Sequence, residues 1–303
     1  MSLLSHDGVF FRRLAYAGAR HGPSFWVKYS PAFFGAAFAL ALPDARRRVR
    51  ETLRWVGGAN VAKPGLAEQA AVLDTFTCYA HCLAEALAAG RPEAERSRVN
   101  VLGEERLTAA LARGHGLIVV TAHAGPWDAV TRVLRKRTNV EVLVAMEGER
   151  DGAARGLHDA VRGEGGVRVV HVGSDPLAAL PLLRHLERGG IVALQLDRGA
   201  PSGRALEVGL FGRPFSLPEG PFRLAALTSA SIVPLFARRL GYFDYEVQVS
   251  PAIELPRWAD RDALRGAAER VRDALAAFVR DNPTQWFHFT GGGAAASSSA
   301  QIP

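Results

Sequence analysis

Between residues 99 and 249 short β-branched apolar runs alternate with stretches of helical period, and this alternation constrains the fold more than any other feature. Residues 117–122, 140–145, 167–172, 191–196 and 232–237 read as strands. Between them 126–136, 155–162, 178–188 and 221–228 read as helices, the first with Pro126 in its opening turn, where a missing N–H costs nothing. Residues 242–249 follow as an antiparallel edge strand, and 260–280 as a last amphipathic helix. The pattern predicts an α/β fold: a central, mostly parallel sheet covered by helices on both faces. Functional groups in such sheets collect beyond the carboxyl ends of strands, and His123 and Asp197 both fall there.

The region ahead of the alternation differs. Residues 1–60 are helical in character, with Phe10, Phe11, Phe25, Trp26, Tyr29, Phe33, Phe34 and Phe38 set among Arg12, Arg13, Arg20 and Lys28. Aromatics beside cations are what a helix lying in a membrane interface uses, the rings entering the headgroup boundary and the cations meeting phosphates. The longest apolar stretch, 31–43, is shorter than the roughly 20 residues a spanning helix needs, so a chain that lies on a membrane fits better than one that crosses it. Asp7, Arg12 and Arg13 interrupt any signal-peptide pattern. The expected organisation is an N-terminal membrane-associating helical region (1–60), one catalytic-sized domain (61–290) and a disordered Gly/Ala/Ser-rich tail (291–303).

A net charge of +7 suits an anionic membrane surface, an acidic carrier protein or a phosphorylated substrate. Nucleic acid is not expected as a partner, because no dense basic stripe with interleaved aromatics is present. Cys78 and Cys82, four residues apart on one helical face, read as small buried thiols.

The run Thr121-Ala122-His123-Ala124-Gly125-Pro126-Trp127-Asp128 holds the chemistry. Neutral imidazole takes a proton from a hydroxyl near pH 7. A carboxylate one helical turn further on would fix the ring tautomer and stabilise the imidazolium, as in a triad. The bland reading is that Asp128 complements a helix dipole and His123 is a loop residue. Ala124-Gly125 keeps the turn small, so an extended substrate can approach. Asp197, ending the strand 191–196, is a second partner for His123, an acceptor-binding residue or a turn residue. Glu219 and Gly220, in Leu217-Pro218-Glu219-Gly220-Pro221, enter a helix where a substrate headgroup could be met, and Trp127 and Arg238 join them as substrate-binding candidates. Arg162, Arg204 and Arg213 are further candidates for a phosphate or a thioester oxyanion. His115, His158, His171, His185 and His288 show no metal-ligand spacing. There is no G-x-S-x-G elbow, Walker A loop or G-x-G-x-x-G, which argues against a serine hydrolase, an NTPase and a dinucleotide enzyme.

In order along the chain, His123–Asp128, Leu194-Gln195-Leu196-Asp197-Arg198-Gly199, Val208-Gly209-Leu210-Phe211-Gly212, Leu217-Pro218-Glu219-Gly220-Pro221, Val233-Pro234-Leu235-Phe236-Ala237-Arg238 and Gln285-Trp286-Phe287-His288 resemble the bacterial lipid A biosynthesis (lauroyl/myristoyl-type) acyltransferases. That superfamily includes the phosphatidylinositol mannoside acyltransferases. The resemblance implies a peripheral or monotopic enzyme on the cytoplasmic face of the bacterial inner membrane. It would move a fatty acyl group from acyl carrier protein or coenzyme A, as co-substrate thioester and with no other cofactor, to a lipid or glycolipid hydroxyl. It implies His123 as base, Asp128 as its charge partner, Asp197 as the later acidic residue and Arg162 near the reacting carbonyl. The chain departs from the lipid A branch in having Asp128 where glutamate is usual, and Val144-Ala145-Met146 where an arginine is common. Both departures turn attention to mannoside-type and glycerol-phosphate-type acceptors. A thioesterase-like hydrolase and a non-catalytic lipid-binding protein on the same fold stay open as alternatives.

Overall fold

Seven strands make one sheet in the computed structural model, which describes residues 15–57, 65–147, 168–173, 176–199 and 204–289. They are β1 (Arg98–Leu102), β2 (Leu117–Thr121), β3 (Val142–Glu147), β4 (Arg168–Val172), β5 (Ile191–Gln195), β8 (Ser231–Gly241) and β9 (Asp244–Val249); β6 (Ala205–Leu210) and β7 (Arg213–Pro218) form a separate antiparallel hairpin. The order across the sheet is β1-β9-β8-β2-β5-β3-β4. All neighbours are parallel except β8 and β9. The expected α/β architecture is therefore present. The antiparallel strand near 242–249 is present too, but it is not an edge: β1 pairs along its outer side. The alternating exposure of β1 suits the true edge, where one face meets solvent.

Strand β2 shows why the sheet is buried. All five residues are covered, and alternate side chains enter opposite cores. Ile118 and Val120 pack with Leu186, Phe222 and Phe278, carried by α7 (Leu180–Glu187), α8 (Gly220–Thr228) and α9 (Arg261–Asp281). Leu117 and Val119 pack with Leu107, Val130 and Leu134 from α5 (Glu104–Ala112) and α6 (Trp127–Arg137). Each fully buried aliphatic side chain contributes about 1.5–3 kcal/mol, so burial at the centre of the sheet stabilises the fold strongly. Helix α9 begins cleanly because the Asp260 carboxylate accepts from the Ala263 N–H at 2.8 Å. The helix expected at 155–162 and the tail 291–303 lie outside the described residues.

The N-terminal region is helical where described: residues 15–21, α1 (Ser24–Ala41), α2 (Pro43–Gly57) and α3 (Leu66–Leu87); a short α4 (Pro92–Glu95) follows. Helix α1 is built inside out. Val27, Pro31, Gly35 and Ala39 face the protein, while Phe25, Tyr29, Phe33, Phe38 and Leu40 are each more than half exposed. Gly35 is needed because the backbones of α1 and α3 touch there: a Cβ would stand 2.6 Å from the Thr77 Cα and 2.9 Å from the Phe76 carbonyl oxygen. Leu66, Leu73 and Leu83 of α3 extend the exposed apolar surface. No single helix among the described residues is long and apolar enough to cross a membrane; α1 and α2 meet at 99°.

Candidate active site

Sheet register assembles the site. Strands β2 and β5 run side by side with Leu117 opposite Ile191 and Thr121 opposite Gln195. Two residues further along each strand come His123 and Asp197, so two turns far apart in sequence emerge from the sheet at the same level. The Leu196 N–H bonds to the Thr121 carbonyl at 3.0 Å and closes the last step of the ladder.

Asp197 is buried, and its two oxygens are both occupied. Oδ1 accepts the backbone N–H of His123 at 2.9 Å and lies 2.7 Å from its ring Nδ1. Oδ2 accepts the indole N–H of Trp286 at 3.0 Å. Burial alone would raise the carboxyl pKa, but His123, through its charge and hydrogen bond, with His288 and Arg198 beyond, holds it well below the usual carboxylate range. An ionised carboxylate can only accept. The ring proton therefore sits on Nδ1, and the neutral imidazole presents its lone pair at Nε2. The His123 side chain is 23% exposed, whereas Asp197 has none of its side chain in solvent. This is the geometry of a general base with an orienting acid behind it.

His288 lies under the pair, its ring stacked on Trp286 at 4.7 Å. Burial pushes its pKa down to about 4 against the pull of Asp197, with Arg198 and His123 adding to the lowering. Near neutral pH it carries no charge.

The turn after β2 is held from two sides. Gly125 has φ +51°, and a Cβ there would sit 2.1 Å from the carbonyl oxygen of Ala237 in β8. Glycine is required for the close approach of the turn to the sheet, a different reason from the substrate access expected from sequence. On the other side the segment after α9 pairs with the turn. The Gly125 N–H donates to the Gln285 carbonyl and the Phe287 N–H to the His123 carbonyl, both at 2.8 Å.

The other sequence candidates are distributed unevenly. The Asp197 carboxylate meets His123 Nδ1, while Asp128 stands in the first turn of α6, where it complements the helix dipole, opposite Arg135, Lys136 and Arg137 in the last turn. Trp127 opens the same helix and lines a narrow slot with Thr121, Val144, Met146 and Leu194. Glu219 is the buried residue just ahead of α8, with no side-chain capping bond and its carboxylate taken by Arg223. Gly220 is the first residue of that helix. Arg238 pairs with Glu246 at 2.8 Å across β8 and β9. Among the described residues no hydrogen bond or ion pair joins Glu219 or Arg238 to His123 or Asp197. Arg204 gives its carbonyl to the Glu219 N–H, and Arg213 lies over the Trp55 ring at 5.9 Å. Arg162 lies outside the described residues. Among those residues, no three His, Cys, Asp or Glu side chains are grouped to hold a metal ion. The contact that sequence reasoning missed is Trp286 to Asp197. Its only signal was the run Gln285-Trp286-Phe287-His288 after the last helix.

The family model for bacterial lipid A biosynthesis acyltransferases matches residues 9–290. The chain belongs to the bacterial lipid A biosynthesis acyltransferase family. Two curated relatives, phosphatidylinositol mannoside acyltransferases from two strains of Mycobacterium tuberculosis, are 26% identical over 184 and 185 residues. Each alignment covers 61% of this chain and 56% of the relative, so the match spans little more than half the length of those proteins. The solved structure of the 1-acyl-sn-glycerophosphate acyltransferase PlsC from Thermotoga maritima is similar over 77% of this chain and 96% of its own, at 14% identity and a TM-score of 0.37. In this lipid A acyltransferase family member, the sheet register brings His123 and Asp197 together.

Proposed function

We propose that this chain transfers a fatty acyl group from a thioester of acyl carrier protein or coenzyme A to a hydroxyl of a lipid or glycolipid, at the cytoplasmic face of a bacterial inner membrane. The observation that carries the reading is the 2.7 Å contact of His123 Nδ1 with a buried, ionised Asp197, which directs the basic Nε2 away from the core. Nε2 takes the proton of the acceptor hydroxyl as that oxygen attacks the thioester carbonyl carbon. The tetrahedral intermediate collapses by breaking the C–S bond, and the imidazolium returns the proton to the leaving thiolate. No acyl-enzyme is needed. Positive N-terminal charge of α6, aimed at the same turn, favours the oxyanion. Asp128 acts at that helix end, Arg162 serves the reacting carbonyl, and Trp127, Glu219, Gly220 and Arg238 belong to the acceptor side. No metal or other cofactor takes part.

The membrane enters through α1. Seven large apolar side chains from Phe25 to Leu40 are each between 41% and 77% exposed. With Lys28 exposed among them, they suit the interface of an anionic bilayer, which holds the acceptor lipid at the catalytic turn. The relatives' names favour a glycolipid acceptor of the mannoside type.

The test uses purified protein with labelled acyl carrier protein thioester or acyl-coenzyme A and vesicles containing candidate acceptors. Label appearing in lipid, and falling by several orders of magnitude in His123→Ala, supports the reading. Label released as free fatty acid without acceptor would make the chain a hydrolase. Undiminished transfer by His123→Ala would end the mechanism.

A further inference from the structure

The residues that orient the catalytic pair lie in a strap crossing the histidine turn. Trp286 forms an antiparallel bridge with Ala124, flanked by the Gly125–Gln285 and His123–Phe287 backbone bonds. The strap is itself clasped to β8: the Gln285 side chain accepts the Arg239 N–H at 2.8 Å and donates to the Arg239 carbonyl at 3.0 Å. Arg239 in turn donates to the buried Glu85 carboxylate of α3 at 2.8 Å. The Trp286 ring is fixed by Trp55 at 5.4 Å and His288 at 4.7 Å, so its N–H has one direction to point, toward Asp197 Oδ2.

We infer that Trp286 and Gln285 are positioning residues for the His123–Asp197 pair, Trp286 by orienting the carboxylate through its indole N–H and Gln285 by holding the histidine turn against the end of β8. The inference rests on His123 being the base of the reaction proposed above. With Oδ2 occupied by the indole, the carboxylate plane is set and Oδ1 is turned to both His123 donors. Without it, Oδ2 loses its indole donor and the carboxylate plane is less firmly set. The charged and titratable groups facing the pair are His288 and Arg198.

The experiment is the pH titration of the His123 ring by NMR in the full chain, read without substrate, together with kcat and KM. Trp286→Phe keeps the ring and removes the donor. The less stabilised carboxylate then holds the imidazolium more strongly, so the His123 midpoint rises by about half a pH unit to one unit. The kcat falls about tenfold or more, with donor and acceptor KM within about twofold. Trp55→Phe is the comparison: it removes the bond of the Trp55 indole to the Leu210 carbonyl at 3.0 Å and loosens packing on Trp286 but leaves the Trp286 donor in place, so its midpoint shift and its loss of kcat should both be smaller than those of Trp286→Phe. An unmoved midpoint in Trp286→Phe, or an equal shift in Trp55→Phe, overturns the role of Trp286. Gln285→Leu should lower kcat with KM kept, and Gln285→Glu, which retains the acceptor, should recover part of it; normal kcat in Gln285→Leu overturns the role of Gln285. Should Trp286→Phe fail to fold, the wild-type indole N–H resonance reads the same bond, and it must shift as His123 titrates. Absence of acyl transfer by the wild type would refute the proposed reaction, while the ring titration would still decide the strap.

Discussion

Asp197→Asn is the sharpest test of the site. The substitution is isosteric, so it leaves packing intact and alters only charge and donor count. In the native site three donors converge on one carboxylate: the His123 N–H at 2.9 Å, its Nδ1–H at 2.7 Å and the Trp286 indole N–H at 3.0 Å. An amide has one acceptor oxygen. If that oxygen faces His123, the NH2 group confronts the Trp286 N–H; if it faces Trp286, the NH2 group confronts His123 and drives the ring to the other tautomer. Either orientation leaves a buried donor unsatisfied, costing about 1–3 kcal/mol of stability. Catalysis suffers more, because the imidazolium formed in the transition state loses its buried counter-charge. A loss of about 3–5 kcal/mol corresponds to a kcat lower by about 10²- to 10⁴-fold. The assay is steady-state acyl transfer with both substrates varied, beside urea unfolding to confirm the fold. A folded Asp197→Asn protein with kcat within about threefold of wild type would refute the argument that Asp197 supports the base.

Acid stability supplies a second prediction. His288 has a folded pKa lowered to about 4 from 6.5, so the unfolded chain binds its proton first as the pH falls. Its contribution is intact above about pH 6.5 and is lost progressively down to about pH 4, by about 3 kcal/mol in all; His288→Gln should flatten the pH dependence of the unfolding midpoint in that window. A third concerns α1. Phe33→Asp, at a side chain 70% exposed, should change unfolding free energy by no more than about 0.5 kcal/mol while weakening sedimentation with anionic vesicles about tenfold or more; unchanged vesicle binding would remove α1 from the membrane contact.

Much of the fold could be read from periodicity. Leu117-Ile118-Val119-Val120 is apolar at every position because β2 is covered on both faces, and such a run reads as a central parallel strand. The hairpin of β6 and β7 was not recognised as strands, since Gly209, Gly212 and Pro214 break the β pattern that the Val208 and Phe215 pairing restores. The place of residues 244–249 inside the sheet was also out of reach, because their outer neighbour β1 lies more than 140 positions earlier.

Sequence alone determined the elements, the aromatic and basic character of the N-terminus, and the histidine at the end of a buried strand, because side-chain period and residue type are local properties. It pointed to Asp128 as the acid because that carboxylate is the near one along the chain. The tertiary structure set Asp197 against His123, since parallel strands in register carry residues 74 positions apart to the same level, and it brought Trp286 to the second carboxylate oxygen. Proximity in the folded sheet is set by hydrogen-bond register between strands, and no pattern within a single strand encodes which neighbour it will have.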